Sequence, residues 1–190
     1  MDSTRLGNAL ALAGQAHAGQ LRKGTDIPYL SHVLGVASIA LAYGADEDQC
    51  IAALLHDAIE DGGSAYRQRI FQTLGPRVLS LVEGCTDGEV GENGQKEDWA
   101  LRKRRYLEHL ESAPDDVLLV SAADKLHNAQ SILADLKTVG PAVFERFKAG
   151  KEGTLWYYQQ LAEIFTRRHS SIAAPLAEVV DQLTAEAASS

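Results

Sequence analysis

His56-Asp57 and Glu60-Asp61 stand close together in Leu54-Leu55-His56-Asp57-Ala58-Ile59-Glu60-Asp61, two polar pairs set into an apolar run. Read as one helix, the stretch puts His56 four residues before Glu60 and Asp57 four residues before Asp61. Four residues return an α-helix to within about 40° of its starting direction. All four polar groups then share one stripe, with the leucines and Ile59 turned toward a core. Carboxylates buried beside aliphatics are unfavourable unless a cation or strong donors compensate, so the stripe points to a bound metal ion. The competing reading, a stripe of solvated acids, does not explain why the His-Asp pair follows an unbroken apolar run, Ile51-Ala52-Ala53-Leu54-Leu55.

One helix cannot complete a metal site. Divalent ions take neutral imidazole and carboxylate oxygen, and two other segments offer them. His32 closes Pro28-Tyr29-Leu30-Ser31-His32, at the start of a predicted helix with Pro28 in its first turn. Asp124 lies in Ala122-Ala123-Asp124-Lys125-Leu126-His127-Asn128, with Asn128 four residues on along the same face. The order His…His-Asp…Asp gives the candidate ligand set His32, His56, Asp57 and Asp124. It mixes nitrogen and oxygen donors without thiolate, which suits Mn²⁺, Fe²⁺ or Zn²⁺. Such an ion polarises a phosphoryl group and acidifies the water it binds. Glu60 and Asp61, one turn beyond, are the candidate catalytic pair, able to orient or deprotonate the attacking water or to protonate a leaving oxygen. As acids at a helix C-terminus they would oppose the helix dipole, which argues that they are kept for function.

The elements that must position these residues read as helices throughout. Ser3 or Thr4 can cap a first helix running through His17; Pro28 opens a second that ends near Tyr43-Gly44. Asp46 or Asp48 caps the third, which carries the His-Asp pair and stops at Gly62-Gly63. Short helices follow over Tyr66–Leu74 and from Pro76 to Val82, and then a glycine- and acid-rich loop over residues 84–97. Asp98 caps a helix to Leu110, Asp115 or Asp116 a long one to Leu136, and Pro141–Phe147, Thr154–His169 and Pro175–Ala185 complete an all-α set of about ten helices. No segment alternates with a period of two. The expected organisation is one domain over residues 1–190, with a C-terminal helix and a fraying Ala- and Ser-rich tail after about residue 170.

Composition narrows the partners. The chain has 190 residues, enough for a full core, with 45% apolar residues and a formal net charge of −8. A nucleic-acid binder needs a positive footprint, so nucleic acid is not an expected partner. No apolar run reaches membrane-spanning length and no signal peptide opens the chain. Cys50 and Cys85 fit reduced thiols, so the cytoplasm is the expected compartment.

His32, His56-Asp57 and Asp124 resemble the signature of the HD-domain metal-dependent phosphohydrolases. The flanking stretches narrow the likeness. Ala16-His17-Ala18-Gly19-Gln20-Leu21-Arg22-Lys23-Gly24, Pro28 to His32, His56 to Asp61 and Ala123 to Asn128 resemble the hydrolase domain of Rel/SpoT enzymes, over roughly residues 10–165. Val33 departs from the proline common in that family after the first histidine. Thr25-Asp26-Ile27 and the polar loop Gly88–Gln95 are two further departures, and they bear on the shape of the pocket. The resemblance implies an HD-domain helical bundle, Mn²⁺ as cofactor, and a stand-alone small alarmone hydrolase. Its reaction would be hydrolysis of the 3′-diphosphate of (p)ppGpp to GDP or GTP and pyrophosphate. Two other readings stand beside it: an HD phosphohydrolase for other nucleotides (adenine alarmones, the 2′-phosphate of NADPH), and a non-catalytic nucleotide-binding or antitoxin-like module, against which the intact Glu60-Asp61 pair counts.

A polyanionic substrate on an acidic protein needs local cations. Arg22 and Lys23 sit on the predicted loop before His32, and arginine can both stack on a base and bind phosphate. The matching basic pair lies at the nucleotide in Rel/SpoT hydrolases, so the resemblance implies the same role. Asn128 and Ser131, four and seven residues after Asp124, can donate to ribose or phosphate. Of Arg102-Lys103-Arg104-Arg105, at most two can face the site. Tyr157 is a candidate base platform within the core-like Trp156-Tyr157-Tyr158. His17, His109 and His169 read as structural or exposed, and His127 as facing away from Asp124.

Overall fold

The structure is a computed structural model that describes residues 1–88 and 97–189. Beyond Gly88, the loop singled out above lies outside the described residues. Ten α-helices and one 3₁₀ segment make up the described fold: α1 Ser3–Ala16, α2 Leu30–Ala42, α3 Glu47–Leu55, α4 Ala58–Gly62, α5 Ala65–Leu74, α6 Pro76–Cys85, α7 Trp99–Ser112, α8 Asp115–Val139, the 3₁₀ segment Gly140–Arg146, α9 Gly150–Arg167 and α10 Ala173–Ser189. The all-α expectation holds. Among the described residues the strand-like feature is an isolated bridge between Leu21 and Pro28, which pinches the loop before α2.

α8 is the spine, packed by α2, α3, α6, α9 and α10. Its middle is Ser121-Ala122-Ala123-Asp124, all buried, and the alanines let neighbouring helices approach closely. α3 is buried over seven consecutive residues, Gln49 to Leu55, and is started by a reciprocal capping box between Asp46 and Gln49. These two helices and α2 carry the residues of interest into the core.

Several local expectations are corrected. Asp2, not Ser3 or Thr4, caps α1, because its carboxylate reaches the N–H groups of Thr4 and Arg5. Asp115 and Asp116 lie inside the first turn of α8, behind Pro114 at the cap, where their charge suits the helix dipole. The Ala-rich tail is helical in the structure: α10 runs to Ser189, with Ala187 buried and its carbonyl taking the Lys151 ammonium. Alanine's high helix propensity and the packing of α10 on α8 explain this.

The most consequential correction is at the His-Asp pair. The expected single helix breaks: α3 ends at Leu55, α4 starts at Ala58, and Asp57 sits at φ −99°, ψ −1°. The His56 ring supplies the reason. Its Nδ1–H donates to the Ala53 carbonyl at 2.8 Å, the acceptor that an uninterrupted helix would offer to the Asp57 N–H. Glu60 and Asp61 are therefore in the first turn of α4 rather than at the end of a long helix. Acids are favourable there, so their placement alone does not argue for function.

Candidate metal centre and adjoining cleft

His32 comes from the first turn of α2, His56 and Asp57 from the break between α3 and α4, and Asp124 from the middle of α8. His32, His56 and Asp124 are 0%, 1% and 5% exposed, and one ligand atom from each lies within 4.8 Å of the others. His32 Nε2 is 3.2 Å from Asp124 Oδ1, and His56 Nε2 is 3.0 Å from Asp57 Oδ2. The crossed distances, His32 to Asp57 and His56 to Asp124, are 3.7 and 3.5 Å. Asp57 is outside the tightest trio but approaches both imidazoles through one oxygen.

Neither Nε2 has a hydrogen-bond partner among the described residues. Two buried imidazole nitrogens thus face two carboxylates without hydrogen-bond alignment, and this N/O donor set fits a divalent ion. The electrostatics agree. Burial alone would lower the His56 pKa, yet Asp57 and Asp124 hold it well above its ordinary value. Asp124 is raised by burial but falls well below the carboxylate range because Lys125 and the imidazoles outweigh it. The carboxylates draw positive charge to this point, and a metal ion competes with the proton for the same nitrogen.

A ring of donors holds the candidate ligands. Tyr29 donates to Asp57 Oδ2 at 2.5 Å, and its own pKa is raised by burial and by that carboxylate. Lys125 donates to Asp124 Oδ2 and Asn128 to Asp124 Oδ1, both at 2.6 Å. Arg22 donates to the Asn128 side-chain oxygen at 2.9 Å, so the loop before α2 is tied to the metal centre through one amide. His127 Nδ1 is 3.0 Å from His32 Nδ1, contrary to the expectation that His127 faces elsewhere. Residues three apart on a helix are neighbours, as are residues four apart, so His127 follows Asp124 onto the same side. Burial, together with His32 and Arg22, pushes its pKa down to about 4.

Glu60 and Asp61 are placed differently from each other. Glu60 is half-buried, with Oε1 3.9 Å from an Arg102 nitrogen. Asp61 is exposed, and its Oδ2 accepts from Gln20 Nε2 at 2.8 Å, while Gln20 Oε1 accepts from His17 Nδ1 at 2.7 Å. His17 is therefore a buried support for a residue beside the site.

The centre backs onto a cleft of about 810 Å³, lined among others by Arg22, Lys23, Lys103, Lys125 and Arg146 and by the aromatic rings of Tyr29, Trp99, Phe147, Tyr157 and Tyr158. All five of the expected contact residues, Arg22, Lys23, Asn128, Ser131 and Tyr157, line it. Arg22 lies 5.7 Å from the Tyr29 ring centroid and Lys23 5.9 Å from that of Phe147. The Tyr157 hydroxyl is buried without a hydrogen-bond partner among the described residues, and Lys103 sits 4.9 Å from its ring. Of the basic run, Arg102 and Lys103 turn inward onto Asp87, and Arg104 and Arg105 are exposed. Sequence reasoning assigned no role to Tyr29, Gln20, Lys103 or Lys125. Lys125, next to Asp124, had a signal in its position; Tyr29 and Gln20 had only the quoted motifs.

Comparison with known proteins agrees with this geometry. The HD domain family matches residues 9–155. GTP pyrophosphokinase rsh of Brucella ovis is 40% identical over 67% of this chain, but the chain spans only 17% of that protein. The guanosine-3′,5′-bis(diphosphate) 3′-pyrophosphohydrolase MESH1 of Xenopus tropicalis is 34% identical, with 74% of each chain covered. A solved metazoan ortholog of SpoT, described as hydrolysing ppGpp, superposes with a TM-score of 0.61 at 26% identity, covering 88% of this chain and 97% of its own. A Listeria monocytogenes structure superposes at 0.68 with 28% identity, covering 78% of this chain and 96% of its own. The matched span contains His32, His56, Asp57 and Asp124, and the chain belongs to the HD-domain family, in its small Rel/SpoT-type branch.

Proposed function

We propose that this protein is a metal-dependent (p)ppGpp 3′-pyrophosphohydrolase, releasing GDP or GTP and pyrophosphate. The observation that carries the reading is the adjacency of a buried His/Asp centre to a cleft lined by five cations on a protein of net charge −8. Lys103, Lys125 and Arg146 are paired with Asp87, Asp124 and Asp135, while Arg22 and Lys23 make no ion pair among the described residues. The names of the MESH1 and SpoT-ortholog relatives support the same substrate class. His32, His56, Asp57 and Asp124 would hold the ion, for which we propose Mn²⁺. When bound, it supplies Lewis-acid charge at the phosphoryl group and makes water a better nucleophile.

The chain's own residues do the rest. Glu60 takes the proton of the attacking water or returns one to the 3′ oxygen as the P–O3′ bond breaks, and Asp61, fixed by Gln20, orients that exchange. Arg22 packs against the base, Asn128 and Ser131 donate to the sugar or phosphate, and Tyr157 offers a hydroxyl that has no partner among the described residues. Lys23 meets the diphosphates as a cation without a carboxylate partner among the described residues, flanked by Lys103 and Arg146, which are paired with Asp87 and Asp135. The two buried free cysteines suit a reducing cytoplasm.

The test is a product assay with ppGpp, pppApp, NADPH and nucleoside monophosphates, with and without Mn²⁺, resolved by anion-exchange chromatography. The proposal expects GDP and pyrophosphate from ppGpp, only with metal. Preferential release of phosphate from NADPH would assign the site to the other nucleotide reading, and binding without turnover to the non-catalytic one.

A further inference from the structure

We infer that His127 is a positioning residue for the metal centre, acting as the hydrogen-bond acceptor that keeps His32 in the tautomer able to bind an ion; the inference rests on the proposed metal site. His32 is fully buried, so its ring orientation has to come from protein contacts. Its Nε2 faces Asp124 and Asp57. For that nitrogen to offer a lone pair, the ring proton must sit on Nδ1 and needs an acceptor. His127 Nδ1 stands there at 3.0 Å, with the two ring centroids 4.9 Å apart. His127 then carries its own proton on Nε2.

A second, independent feature makes room for this arrangement. Gly35 lies three residues after His32 on α2, and a Cβ built there would meet His127 Cδ2 and Nε2 at 2.3 Å. Any larger residue would drive the His127 ring off its place beside His32. Glycine is otherwise unfavourable inside a helix, and the closeness of the His127 ring accounts for it at this position. The metal ligand, its acceptor and the gap that admits the acceptor form one unit across α2 and α8.

The experiment measures Mn²⁺ affinity by titration calorimetry on intact protein whose folding is checked by circular dichroism, with His56→Ala as the control for the site itself. Wild type is expected to bind one equivalent. His127→Phe, which keeps a ring but has no acceptor, should bind about 10–100-fold more weakly, the usual effect of losing a partner of a metal-bound histidine. His127→Asn, whose amide oxygen can accept in place of Nδ1, should recover most of that loss. Gly35→Ala should reproduce the His127→Phe loss with His127 chemically intact. Wild-type affinity in folded His127→Phe and Gly35→Ala would overturn the inference, as would equal losses in the Phe and Asn variants, which would mean packing alone. No metal bound by wild type, or unchanged binding in His56→Ala, would instead overturn the site on which it rests.

Discussion

The candidate metal centre and the cleft beside it are held in place by different means. His32 and Asp124 are buried on helices, and His56 at the end of α3, all among side chains that fill the core, and each has a partner beside it: His127 for His32, the Ala53 carbonyl for His56, and Lys125 with Asn128 for Asp124. The cleft residues arrive from separate places: Arg22 and Lys23 from the loop before α2, Lys103 from α7, Arg146 from the 3₁₀ segment and Tyr157 from α9. Close-packed interiors adjust little to a change of one group, whereas a rim of long cationic side chains can redistribute. The centre should therefore fail in an all-or-none way, and the cleft by degrees.

The largest effect is expected at the centre. His56→Ala or Asp57→Ala should leave no stoichiometric metal by elemental analysis and no measurable turnover, because a ligand is lost. Metal retained at one equivalent in both variants would remove these residues from the site. Next comes Glu60→Gln, which should keep metal and nucleotide binding while lowering kcat by about 10²–10⁴-fold, the usual worth of general acid–base assistance. A wild-type rate would make Glu60 a bystander that pairs with Arg102.

Arg22→Ala tests the boundary between the two regions. Its KM for ppGpp should rise about 10–100-fold, the scale of losing a hydrogen bond to a charged group, with metal content unchanged and a smaller effect on bis-p-nitrophenyl phosphate. Equal losses on both substrates would show that Arg22 acts inward, through Asn128 onto Asp124, rather than on the nucleotide.

The smallest effect concerns the cleft wall itself. Burial raises the Asp87 pKa, but Lys103, Lys125 and Arg102 outweigh it and hold the carboxyl below its ordinary value. A depressed folded-state pKa contributes stability that is present above the unfolded value and is lost as pH falls through the folded one. The urea midpoint of wild type should therefore exceed that of Asp87→Asn at pH 7, and the gap should close under acid. A gap independent of pH would mean that the ion pair contributes nothing through its charge.

Helical periodicity, caps and the glycine and proline stops were enough to read most of the fold, because those signals are local. The candidate ligands were readable for a similar reason: a histidine or aspartate inside an apolar run is conspicuous. The break after Leu55 was not, since Leu54 to Asp61 has no glycine or proline, and what ends α3 is an imidazole turning back onto Ala53. His127 was missed because its role depends on α2 crossing α8 beside Gly35, a contact between distant segments. Likewise Asp87, just after α6, pairs with Lys103 of α7, where sequence shows only a loop and a basic run.

The most direct test of the central claim is a crystal of Mn²⁺-loaded protein measured at the manganese absorption edge. One anomalous peak per chain is expected, within about 2.0–2.2 Å of His32 Nε2, His56 Nε2 and the facing oxygens of Asp57 and Asp124, as for other ions bound by nitrogen and carboxylate. An anomalous peak elsewhere, or none in crystals of protein that turns over ppGpp, would contradict the account.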